Sequence, residues 1–161
     1  MSAAQKGVWF NLPDKKKICI LKLNLNDYHQ IHMTITIKDE TFSGKLLQEI
    51  QLHFKSATVS VSELIASRVR KEVENYNNKL PEYFNGLVEP TDAEKTLNGY
   101  KLKNRKHIDA EKQVYVALDA FQKNGFFVLI DNQQSESLEQ QVTLSNNTAI
   151  SFIKLTPLVG G

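Results

Sequence analysis

The period of the apolar residues changes once between Met33 and Tyr76, and this restricts the chain to folds in which a hairpin runs directly into a helix. Ile35 and Ile37 alternate with Thr34, Thr36 and Lys38. After a polar stretch from Asp39 to Lys45 that contains Gly44, the alternation resumes through Ile50, Leu52 and Phe54. A period of two sends successive side chains to opposite faces, so these segments predict two strands joined by a loop longer than the tightest hairpin turn. Ser60 with Glu63 three residues later is a capping-box pattern. Val61, Leu64, Ile65, Val69, Val73 and Tyr76 then recur at helical spacing, opposite Arg68, Arg70, Lys71, Glu72 and Glu74. The pattern predicts a helix with one buried stripe, ended by Asn77, Asn78 and Pro81.

The following segments are punctuated less regularly. Leu80 to His107 carries Pro81, Gly86, Pro90 and Gly99 as breakers and reads as loop with short helical turns. A second helix is predicted with Asp109 as N-cap, with Val114, Ala117, Leu118 and Phe121 as its apolar stripe, and with Gly125 after Asn124 as its stop. Phe126 to Ile130 is a continuous apolar run, as in a covered strand. Asp131 to Ser137 reads as a polar turn, Leu138 to Leu144 as short extended pieces, and Ala149 to Leu155 as the last strand. Ahead of all this, Val8-Trp9-Phe10 precedes a loop at Asn11 to Asp14, and Leu21, Leu23 and Leu25 alternate with Lys22, Asn24 and Asn26. Residues 1–32 therefore read either as an added strand or hairpin on a sheet edge or as an extension before a domain that begins at Met33.

Composition narrows the function classes. A chain of 161 residues with 41% hydrophobic and 24% charged residues suits one globular domain. The net charge is +2 and the basic stretches (Lys15 to Lys17; Lys101, Lys103, Arg105, Lys106) are short, which gives nucleic acid no support. The single cysteine, Cys19, lies between Ile18 and Ile20, so it reads as a buried thiol in a chain suited to a reducing cytoplasm. No apolar run approaches the roughly 18 residues of a membrane span, and no signal-peptide pattern opens the chain. His29 and His32 beside Asp27 have a spacing that binds metal on a helix; on a strand they would face opposite ways, and no second cluster accompanies them. Phosphate loops, nucleophile elbows and zinc patterns are lacking, so no intrinsic enzyme and no bound cofactor is expected.

The order of elements predicts an α+β fold, a mixed sheet crossed by a helix with a second helix inserted. That order, with Gly160-Gly161 at the end, resembles the β-grasp fold of ubiquitin and its relatives. "MTITIKDETFSGKLL" is similar to the opening hairpin of ubiquitin, and "FFVLIDNQQSESLEQQVTLSNNTAISFIKLTPLVGG" to the second half of the family in strand spacing and in distance to the end. The resemblance divides the chain into an extension at 1–32, a β-grasp domain at 33–155 with an insertion at 79–124, and a tail at 156–161. "TPLVGG" is also similar to the tails of the sulfur-carrier branch, the molybdopterin-synthase small subunit and the thiamine sulfur carrier. Two departures stand out: the insertion exceeds what compact ubiquitin-like proteins carry, and ubiquitin's arginines near the tail are replaced by Thr156, Pro157, Leu158 and Val159. A dedicated activating partner is implied, as for the bacterial ubiquitin-like modifiers that the chain resembles most.

What the resemblance implies is conjugation. The Gly161 carboxylate would be adenylated by an ATP-dependent activating enzyme, passed on by a conjugating enzyme to a target protein, and removed by a deconjugating protease, all in the cytoplasm. Glycine at 160 and 161 suits this because a backbone without Cβ enters a narrow channel. Leu158, Val159 and Pro157 would be read by the partner. Phe42, Leu129, Ile153 and Leu155 match the apolar patch by which ubiquitin binds partners, although each also suits a core. Counting back from the tail in that register turns Lys154 inward, a costly orientation unless a bulge intervenes. A sulfur carrier forming a C-terminal thiocarboxylate and a non-conjugated binding module remain the alternatives. The insertion, with Tyr83, Phe84, Leu87, Val88 and Tyr100, suits either shielding the helix side of the sheet or docking an enzyme.

Overall fold

A computed structural model of the chain describes residues 8–10, 18–20, 33–96, 98–103 and 106–155. Two compact units divide it, residues 1–30 and 31–161. In the first, β1 (Val8–Phe10) and β2 (Ile18–Ile20) form an antiparallel two-stranded sheet of their own, with Trp9 opposite Cys19. The alternation at Leu21, Leu23 and Leu25, and the Asp27, His29 and His32 group, lie outside the described residues.

The second unit is α+β. β3 (Met33–Thr41) and β4 (Leu46–Phe54) pair antiparallel, with a register shift between Asp39 and Glu40. Ile35, Ile37, Ile50, Leu52 and Phe54 are buried on one face, while Thr34, Thr36, Lys38, Gln51 and His53 face outward, as the alternation requires. Each such side chain taken fully from water contributes roughly 1.5–3 kcal/mol. The hairpin loop closes through Gly44, whose φ of 79° is the left-handed conformation glycine tolerates best.

β5 (Thr58–Ser60) leads into α1 (Val61–Lys79), which starts where expected: the Ser60 hydroxyl accepts from the Glu63 N–H while the Glu63 carboxylate accepts from the Ser60 N–H. Every residue of the expected stripe is buried. Two residues assigned to the solvent face are buried as well, Arg68 and Glu72, because they lie one turn apart in the row that runs from Leu64 to Tyr76. The helix ends later than expected, at Leu80 in the left-handed conformation, and Asn77 serves the next segment instead: its side-chain amide holds both the N–H and the carbonyl of Ile108.

The segment expected as loop with helical turns contains a hairpin, β6 (Ala93–Thr96) paired with β7 (Gly99–Leu102), and Phe84 exchanges two backbone hydrogen bonds with Tyr100 on its edge. Strands of four mixed residues carry too few alternations to be distinguished from loop. α2 (Ala110–Gln122) is capped by Asp109 and packs on α1, and Gln113 donates to the Val88 carbonyl. Its stop is made by Asn124 at φ 57°, not by a left-handed Gly125. β8 (Phe126–Ile130), β9 (Gln133–Gln134), β10 (Gln141–Thr143) and β11 (Ile150–Lys154) follow, and β9 occupies part of the expected polar turn. β10 pairs with β5, which ties the base of α1 to the far half of the chain.

The main sheet runs β4-β3-β11-β8-β9, all neighbours antiparallel except the central pair β3 and β11, which are parallel. α1 covers one face, and a single core joins the sheet, both helices and the residues Phe84, Leu87, Val88, Leu102 and Ile108 from between the helices. Phe84 meets Tyr76 edge to face at 5.3 Å. Phe84 thus covers α1 at Tyr76. No helix among the described residues is long and apolar enough to cross a membrane.

Candidate functional site at the end of the sheet

β11 places Ile150, Phe152 and Lys154 on the core side of the sheet and Ser151 and Ile153 on the outer side. Because β11 runs parallel to β3, Lys154 lies beside Thr41, and the chain leaves the sheet at Leu155 next to the turn that carries Phe42. Phe42 is 77% exposed, Leu46 and Leu47 are each 48% exposed, and Leu155 is partly exposed. These are four of the five large hydrophobic side chains that stand out into solvent among the described residues, the fifth being Tyr115 on α2. An apolar rim on the β3–β4 turn therefore lies beside the point where the chain departs.

Of the residues expected to form a partner patch, Phe42 belongs to this rim and Leu155 lies beside it. Leu129 is half-buried on the outer face opposite Ser151, and Ile153 is buried between Glu40 and Phe127, so it offers little area to a partner. Leu46 and Leu47 were not anticipated. They open β4 ahead of its alternating part, a position at which two adjacent leucines cannot share one face. Pro157, Leu158, Val159, Gly160 and Gly161 lie outside the described residues.

Lys154 does point inward, and no bulge turns it out. Its ammonium donates to the Gly86 carbonyl and lies 5.3 Å above the Tyr100 ring. Burial holds its pKa below the ordinary lysine value, with Glu72 pulling it back up and Arg68 adding to the lowering. Beside it is a cleft of about 330 Å³ lined by Asp39, Leu47, Gln48, Arg68, Gly86 and Leu87 among others.

The floor of that cleft is ionic. Arg68, 1% exposed, gives Nε to Asp39 Oδ1 at 2.9 Å and its two terminal nitrogens to Asp39 Oδ2 and Glu72 Oε2, and its guanidinium stacks 5.3 Å from the Phe152 ring. Gln48 donates to Asp39 Oδ2 at 2.6 Å, and the Leu87 N–H donates to the Glu72 carboxylate at 3.1 Å. Both oxygens of Asp39 and of Glu72 and all three guanidinium nitrogens thus have a partner, which offsets the cost of keeping these charges out of water. Burial raises the Glu72 pKa, while Arg68 and the Leu87 N–H act against it. Sequence reasoning missed Arg68, Glu72 and Gly86. The spacing of Arg68 and Glu72 with Tyr76, four residues apart each time, was the available signal.

Chemically, these groups form a paired structural network. Among the described residues no three His, Cys, Asp or Glu side chains are grouped to hold a metal ion. No family model matches the chain, and neither the curated proteins nor the solved structures contain a match to it.

Proposed function

We propose that the chain is a ubiquitin-like β-grasp protein modifier whose Gly161 carboxylate is the group transferred. The observation that carries this reading is the exit of β11: the parallel central pair directs the chain out of the sheet at Leu155, beside an exposed rim of Phe42, Leu46 and Leu47. The β-grasp assignment is supported by a hairpin followed by a covering helix, with the last strand inserted beside the first strand of that hairpin. A carboxylate is a poor electrophile. An activating enzyme would join Gly161 to AMP from ATP, releasing pyrophosphate; a partner thiolate would then displace AMP to give a thioester, and a target amine would displace the thiol. On this reading the chain contributes no catalytic group. It supplies a rigid body for recognition and two glycines narrow enough to reach the partner's active site.

Intact-protein mass spectrometry on the chain recovered from its native host, compared with a Gly161 deletion, tests the proposal. Higher-mass conjugates that vanish with the deletion are expected. A gain of one sulfur in place of one oxygen on Gly161 would make the chain a sulfur carrier, the reading that "TPLVGG" favours. Neither product would leave a binding module.

A further inference from the structure

The Gly86–Leu87 peptide unit is gripped from two sides by charged groups of different elements. Its carbonyl accepts from Lys154 on β11, and its N–H donates to both oxygens of Glu72 on α1 at 3.1 Å. Position 86 has no room for a side chain: a Cβ there would overlap the Glu72 carboxylate and the Phe84 ring. Phe84 is in turn hydrogen-bonded to Tyr100, the residue whose ring lies under the Lys154 ammonium. Lys154 thus contacts both limbs of the inserted segment, and it immediately precedes Leu155, where the chain leaves the sheet. An apolar residue at 154 would continue the Ile150 and Phe152 pattern at no desolvation cost.

We propose that Lys154 is a positioning residue that couples the docking of the inserted segment, residues 84–102, to the conformation of the chain leaving β11. When the segment is docked, the lysine stem is held inward and the backbone at Lys154 is fixed in strand register, which sets where Leu155 departs. When the segment lifts, the Lys154 ammonium loses its buried acceptor and its aromatic face together and is drawn to water, which releases the end of the strand. Coupling of this kind is reciprocal: a protein that binds the inserted segment and one that grips the departing chain change each other's affinity by the same factor. The coupling stands independently of conjugation; only its use in partner hand-over rests on the proposed function.

Hydrogen exchange on the full chain reads the coupling in both directions. Lys154→Met keeps the stem and removes the donor. It should raise exchange at the Leu87 amide by about tenfold or more while Ile35, Ile37 and Val128 exchange as before. Gly86→Ala should displace the segment and, from the other side, shift the amide resonances of Lys154 and Leu155. An unchanged Leu87 amide in the first variant, or unmoved Lys154 and Leu155 resonances in the second, overturns the proposal. If either variant does not fold, the unaltered chain provides the test: Lys154 should undergo reductive methylation far more slowly than the exposed Lys38 and Lys55, and its modification should then accelerate exchange at Leu87. Reaction at the rate of the exposed lysines, or modification without effect on Leu87, also overturns it. None of these readouts requires an activating enzyme, so a failed coupling and a failed modifier reading are told apart.

Discussion

Arg68 sits in the middle of α1 with almost no exposure, and each of its three guanidinium nitrogens is paired to Asp39 or Glu72. Charges so placed are more costly to break singly than to replace together, since one removed partner leaves another buried and uncompensated, at about 3–5 kcal/mol. Glu72 makes this testable by pH. Its pKa is raised by burial, with Arg68 and the Leu87 N–H opposing and Asp39 adding to the rise. The folded chain therefore binds the Glu72 proton more tightly than the unfolded chain. That contribution to stability is fully present below the ordinary carboxylate range and is lost as pH rises through the raised native value. Glu72→Gln has no such loss. Urea midpoints should show wild type gaining on the variant as pH falls from the neutral side toward the ordinary carboxylate value of 4.5; a gain in the opposite direction would mean that Arg68 outweighs burial. At this scale the sequence misleads, because a charged residue on a helix is ordinarily assigned to solvent, and only its i, i+4 spacing to Tyr76 places it in the buried row. Gly86 is likewise silent in the sequence: its need for space is created by Glu72 and Phe84, which pack against it.

Elements whose evidence is local were legible, and those whose evidence is distant were not. β3, β4, α1 and α2 each carry several periods of apolar residues and, for the helices, a side-chain cap. Ser60 closes a reciprocal cap with Glu63 while also ending β5, so Ser60→Ala should cost about 1 kcal/mol in thermal or urea unfolding, with Asp109→Ala similar at the start of α2. A neutral result at Ser60 would mean that the backbone bonds from Val61 and Ser62 to Gln140 and Leu138 hold the helix start without the cap. β5, β9 and β10 have two or three residues each, too few to show a period, and β5 exists only because β10 pairs with it from the other half of the chain. Lys154 is intermediate: its inward direction followed from the register, whereas its partners, Gly86 and Tyr100, are supplied by a segment that reads as loop.

Taken whole, residues 31–161 have one core, and the segment between the two helices is a structural part of it. Replacing residues 81–107 with a short Gly-Ser linker should expose Tyr76 and strand Glu72 and Lys154, abolishing a cooperative thermal transition and producing dye binding to apolar surface. A shortened chain that melted cooperatively near the wild-type temperature would instead make the segment an independent docking module. The parallel pairing of β3 with β11 has a mechanical consequence. β3 enters the sheet at the end opposite to the one where β11 leaves, so traction between Met33 and Leu155 slides the two strands along each other and loads their hydrogen bonds together, instead of opening them one by one. Forced unfolding follows the unfolding barrier, not the equilibrium stability. Pulled through residues 33 and 155, the domain should resist markedly higher force than when pulled through 33 and 54 across the antiparallel hairpin, where bonds part in sequence. A body of this construction, attached through its last strand, transmits a pull to whatever it is joined to before it yields itself.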